Sequence, residues 1–109
     1  MKKIVLATVL ASLFFSGAAM AESKTAFSLP AIEKSAESGN AASQYQLGVK
    51  YENGEGVEQD SQKALEWYTK AAEQGHAEAQ LNLALMYDMS DDIDRDAEKA
   101  FYWYNKAAV

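Results

Sequence analysis

The feature that most constrains this chain is a stretch that begins at Gly39 and is written again, without a gap, 36 positions later. Gly39, Ala41, Gln44, Leu47, Tyr51, Asp60, Lys63, Ala64, Trp67, Tyr68, Lys70, Ala71 and Ala72 recur as Gly75, Ala77, Gln80, Leu83, Tyr87, Asp96, Lys99, Ala100, Trp103, Tyr104, Lys106, Ala107 and Ala108. A fixed period of about 20–50 residues marks a stacked repeat, in which each unit buries its apolar side only against its neighbours. Such a chain is built to bind, and the repeat alone does not say what.

Within one period the spacing is helical. Gln44, Leu47, Gly48 and Tyr51 stand at i, i+3, i+4 and i+7, one face of a helix over Ala41 to Glu52. Gly48 costs about 1 kcal/mol against Ala in a helix interior, so a neighbouring helix is expected to approach closely there. Ala84 holds the matching place in the second unit. Asn53-Gly54-Glu55-Gly56 is a turn in which glycine supplies positive φ. Asp60 is a suitable N-cap for a second helix, which ends at Gly75. Ala64, Trp67, Tyr68, Ala71 and Ala72 form its apolar side, with Trp67 and Trp103 expected to be buried in equivalent places. In the second loop Gly54 and Gly56 become Ser90 and Asp92, so Asp91 or Asp92 is expected to adopt the left-handed conformation.

The N-terminal part is of a different kind. Lys2 and Lys3 precede an apolar run from Ile4 to Phe15, and a small-residue stretch ends Ala19-Met20-Ala21. This pattern predicts a secretory signal peptide over residues 1–21, cut after Ala21. Glu22 rather than Cys follows the cut, so no lipid attachment is expected. Residues 22–38 then read as an N-terminal cap helix, the degenerate second half of a repeat, with Pro30 in its first turn and Leu29, Ile32 and Ala36 on one face. Residues 39–74 form the first unit and 75–109 the second. The expected fold is all-α: a short right-handed α-solenoid of antiparallel helix pairs, five helices in all, with a mature form that does not span a membrane.

Charge and composition exclude several functions. The net charge of −6 becomes about two units more negative once Lys2 and Lys3 are removed. Phosphate backbones require a basic face, so no nucleic acid is expected as a partner. The chain has no cysteine, so the mature domain of about 88 residues must hold by packing alone.

The motif Leu47-Gly48-x-x-Tyr51, Gly54-x-Gly56-Val57, Asp60-x-x-Lys63-Ala64-x-x-Trp67-Tyr68-x-Lys70-Ala71-Ala72-Glu73-x-Gly75 resembles the Sel-1-like repeat, a longer relative of the tetratricopeptide repeat. The resemblance covers Gly39 to Ala108. It implies a superhelical scaffold with a role in protein–protein contact, and in exported bacterial members a link to the envelope or to host interaction. A cysteine-rich exported branch is associated with β-lactam binding and hydrolysis. Its regular disulfides are missing here, so that enzymatic alternative is not carried over. A truncated repeat remnant is the other alternative.

No residue constellation adds catalysis. His76 is the only histidine and sits at a helix start, where a polar residue is ordinary. One histidine without thiols makes no zinc site of the usual kind, and no catalytic triad or cofactor site is expected. Asp92-x-Asp94-x-Asp96 opens like an EF-hand loop, but Ala97 and Trp103 stand where Gly and Glu are required. Carboxylates before a helix are explained by its positive N-terminus, so no metal is expected.

Two candidate binding surfaces follow. By likeness to tetratricopeptide scaffolds, a concave groove is lined by Ala42, Tyr45, Val49, Glu52 and Asn53 in the first unit and by Glu78, Leu81, Leu85, Asp88 and Met89 in the second. Apolar anchors among carboxylates suit a protein or peptide partner carrying hydrophobic residues and a positive charge. Alternatively the apolar members pack between adjacent repeats, with Leu81 and Leu85 buried. The second surface is the last helix, where Phe101, Tyr102, Trp103 and Tyr104 are expected to meet another chain, either a second copy in a homodimer or a partner protein.

Overall fold

A computed structural model describes residues 28–109. The predicted signal peptide at 1–21 and the start of the 22–38 segment lie outside the described residues. Those described form five helices and no strand: α1 (Leu29–Glu37), α2 (Ala41–Asn53), α3 (Ser61–Glu73), α4 (Ala77–Met89) and α5 (Ala97–Ala108). The main packing runs between sequence neighbours, α1 on α2, α2 on α3, α3 on α4 and α4 on α5. The expected all-α stack of a cap helix and two helix pairs is the fold observed. None of the described helices is long and apolar enough to cross a membrane.

Each helix of the two units starts on a side chain that accepts an otherwise orphaned backbone N–H. Asn40 accepts from Ser43, Asp60 from Lys63, His76 from Ala79 and Asp96 from Lys99, at 2.9 to 3.2 Å. Between units the chain reverses on Gly39 (φ 104°) and Gly75 (φ 91°). At both places the glycine N–H and the one after it donate back to the preceding helix: Gly39 to Ala36 and Asn40 to Ser35, then Gly75 to Ala72 and His76 to Ala71. Identical turn chemistry at the same register gives each unit the same angle to the last.

The centre of the stack is Tyr68, which has no exposed surface. Its ring lies against the backbone of Gly48, where an added Cβ would stand 2.6 Å from Cδ1. Its hydroxyl donates to Glu52 Oε1 at 2.6 Å. Burial first, and then that carboxylate, push the phenol well above its ordinary value. Around it Ala64, Ala71, Ala72, Ala79, Leu83, Met86 and Ile93 close one core across α3 and α4, while Ile32, Ala36 and Leu47 form a second under α1.

Two expectations need correction. Trp67 and Trp103 occupy equivalent places but are only half-buried. Each turns back onto the preceding unit, Trp67 onto the α1 core and Trp103 onto the α3–α4 core, and Lys70 covers the Trp67 ring at 5.2 Å. In the first unit the adjacent Tyr68 takes the fully buried place against Gly48, and the indole is left at the edge of the helix pair. The second loop also departs from the first. Among the described residues no non-glycine has positive φ, so neither Asp91 nor Asp92 is left-handed. Gly54 ends α2 with φ 71°, whereas Ser90 ends α4 extended, with ψ 136°. Ile93 then buries itself in the core, and Asp96 N–H still reaches Tyr87 O at 2.9 Å, as Asp60 reaches Tyr51. The loop keeps its ends and changes its path.

Candidate functional site

The ten groove positions do not behave as one surface. In the first unit Tyr45 stacks on His76 of the next unit, with ring centres 4.9 Å apart, and tilts against Tyr68 at 5.8 Å. Val49 packs against the α3–α4 core and Glu52 accepts the Tyr68 hydroxyl. Tyr45 and Val49 are thus engaged where the repeats meet, Glu52 is held inside its own unit, and only Ala42 and Asn53 at the ends of α2 are exposed. The packing alternative therefore describes Tyr45 and Val49.

In the second unit the same positions are more open. Leu81 is 44% exposed, not buried as the packing alternative has it, and Met89 is 66% exposed. Leu85 is half-buried and Glu78 exposed. Asp88 accepts from Tyr104 Oη at 3.1 Å and from Arg95 at 3.3 Å. This Tyr104–Asp88 pair reproduces Tyr68–Glu52 one period on. Desolvation and then the Asp88 carboxylate raise the Tyr104 phenol above its ordinary value.

The last helix also divides. Trp103 faces the first unit and Tyr104 is half-buried on Asp88. Phe101 and Tyr102 are exposed, at 70% and 52%. They line a shallow apolar depression with Asn105, Lys106 and Val109. Tyr102 meets the Trp103 ring edge-on at 4.9 Å, and Lys106 lies over it at 5.5 Å.

The acidic loop has partners of its own. Asp92 accepts from Ser61 Oγ at 3.1 Å, joining the loop of the second unit to the start of α3, and Asp96 caps α5. Among the described residues no three of His, Cys, Asp and Glu come together in a way that could hold a metal ion.

Sequence reading missed what joins the units. Gln44 Nε2 donates to Ala36 O, and Gln80 Nε2 donates to Ala72 O, each at 3.1 Å and each buried. Gln74 reaches across to Gln44 at 2.8 Å. The signal was available: a recurring glutamine on an otherwise apolar face needs a buried partner. Its identity was not, because that partner is a backbone carbonyl.

Comparison with known proteins agrees with this geometry. The family model described as Sel1 repeat matches residues 41–76 and 77–108. Among solved structures, the chain is similar to c5321, a protective antigen present in uropathogenic Escherichia coli strains and displaying an SLR fold. The identity is 40% and the TM-score 0.69, over 72% of this chain and 17% of that one. It is also similar to a Sel1 repeat protein from Oxalobacter formigenes, with 36% identity and a TM-score of 0.66, over 73% of this chain and 60% of that one. The chain thus spans less than two thirds of either. No curated protein sequence matches it.

Proposed function

Because the chain belongs to the Sel1 repeat family, we propose that it is an exported, non-enzymatic scaffold that holds a protein or peptide partner against its second unit. The observation that carries this reading is where apolar surface is left over. Among the described residues the exposed large hydrophobics are Leu81, Met89, Phe101, Tyr102 and Val109, all on α4, α5 or the residue after. Sparse exposed apolar residues are ordinary on a soluble protein, whereas several on one unit mark a contact surface. The acidic balance of the chain, net −6, favours a partner that adds a basic group to its apolar anchors.

The export part of the proposal rests on the leader pattern at 1–21, which if cleaved would put the scaffold in the periplasm or outside the cell; one of the similar structures is a protective antigen. Two measurements test the proposal. Peptide-library selection on purified protein should enrich apolar sequences flanked by Lys or Arg, and Leu81→Asp or Phe101→Asp should remove that enrichment. Mass spectrometry of the cell-envelope fraction should give a chain starting at Glu22. A selection unchanged by both substitutions would remove the second unit as the binding surface, and an uncut chain in the cytoplasm would remove export.

A further inference from the structure

The two units place equivalent lysines differently. In the first unit Lys70 lies over the Trp67 ring at 5.2 Å. One period later Lys106 lies over Tyr102 at 5.5 Å instead. Among the described residues no lysine or arginine lies over Trp103. One substitution accounts for the difference. Glu66 of the first unit is Tyr102 in the second, so the lysine four positions on has a second, more exposed ring within reach and takes it. The indole of the second unit is left without its cation.

Trp103 and Tyr102 form a corner, with ring planes 85° apart and centres separated by 4.9 Å. The corner belongs to a depression of about 460 Å³ between the end of α3, the start of α4 and α5, which Glu73, Gly75 and Lys106 also line. Glu73 is the last residue of α3 and is exposed, and its carboxylate has no partner among the described residues. The C-terminal end of α3 adds partial negative charge of its own. This side of the helix stays open when another unit packs beside it. With α4 in place on α3, Glu66 is exposed and Trp67 half-buried at the same register.

We propose that this corner binds the basic side chain of a partner peptide, an arginine stacked on Trp103 and paired with Glu73. The first unit supplies the precedent, a cation held over the equivalent indole by the chain itself. Arginine suits the place because its planar guanidinium stacks on an aromatic ring while its fork of donors meets a carboxylate. Lys106 is drawn aside onto Tyr102 and leaves the indole free. The net charge of −6 favours the approach of a basic group. The site deepens the scaffold reading by naming where the partner's basic residue lands, and rests on that reading.

The test uses N-acetyl-arginine amide as the probe, titrated into the full chain. The chain has two indoles, and each reports through its own Nε1–H resonance. A saturable shift is expected at Trp103 and none at Trp67. N-acetyl-citrulline amide, which keeps arginine's shape without its charge, should produce neither. Glu73→Gln should weaken binding about two- to fivefold, the worth of an exposed ion pair. Tyr102→Glu rebuilds the register of the first unit at a position 52% exposed, so the fold is kept. It should return Lys106 to the indole and weaken binding about two- to fivefold, and adding Lys106→Ala should restore it.

Three results overturn the proposal: no saturable shift at Trp103, an equal response to the citrulline probe, or binding that Tyr102→Glu leaves unchanged. If library-selected peptides depend on Leu81 and Phe101 but the arginine probe does not shift Trp103, the scaffold reading stands and the arginine site falls. If neither binds, both fall.

Discussion

Replacing Gly48 with alanine should destabilise this protein, although the same change in most helices does the opposite. In an exposed helix interior Gly→Ala gains about 1 kcal/mol. Here the new methyl carbon would stand 2.6 Å from Tyr68 Cδ1 and 2.7 Å from Cε1, against an ordinary contact of about 3.5–4.0 Å. The ring must therefore retreat by about 1 Å. It is fully buried, with its hydroxyl tied to Glu52 at 2.6 Å and Tyr45 beside it, so the retreat strains packing and hydrogen bond together. Overpacking costs about 1–3 kcal/mol, and weakening the hydroxyl bond adds up to about 1 kcal/mol. After subtracting the helix gain, the expected net loss is up to about 3 kcal/mol. In a domain this small each kcal/mol lowers Tm by about 4–8 °C. Urea denaturation followed by circular dichroism measures it, with Tyr68→Leu as the second arm of a double-mutant cycle. In the Tyr68→Leu background Gly48→Ala should become neutral or stabilising. A stabilising Gly48→Ala in the native background, or a coupling below about 0.5 kcal/mol, would refute the close-approach argument.

Alkaline pH should expose Tyr68 in another way. Its phenol is raised in the folded state, so the stability it contributes is complete below the unfolded value of about 10 and declines as pH rises above that. The difference between native protein and Tyr68→Phe should approach a slope of about 1.4 kcal/mol per pH unit above pH 10, and parallel pH curves for the two would contradict it. Gln80→Leu removes the buried bond to Ala72 O and should cost about 1–2 kcal/mol, measured by the same urea titration; a neutral result would mean the junction is held by apolar contact alone. Millimolar Ca²⁺ should leave Tm unchanged, since bound ligand stabilises by mass action; a rise abolished by Asp92→Asn with Asp94→Asn would identify a calcium site in the acidic loop.

Periodicity made most of the architecture legible, because identical residues at identical register must solve the same packing problem. The caps at Asp60 and Asp96, the reversals at Gly39 and Gly75 and the tight place at Gly48 were all readable as local chemistry. The second loop was not, because its two glycines are replaced and the chain takes an extended exit at Ser90 with Ile93 turned inward. The indoles misled for a related reason. Repetition shows that Trp67 and Trp103 are equivalent, but not which of two adjacent rings, Trp67 or Tyr68, the core takes in. At the candidate surfaces the pattern placed Tyr45 and Leu81 at one register. It could not show that Tyr45 is taken up by His76 while Leu81 stands open, since that depends on contacts between units rather than on the pattern within one.

Packing that runs from each helix to the next in sequence also shapes how the protein folds. Its principal contacts join helices separated only by short turns, so no long chain segment has to be closed before structure is rewarded. Folding should be fast, in the microsecond to millisecond range of helical proteins with local contacts. It can begin in either unit and spread along the stack, since each step needs only the helix before it. Amide exchange should then be graded along the described helices, slowest at α2, α3 and α4, each of which packs on the helix before and the helix after it, and faster at α1 and α5.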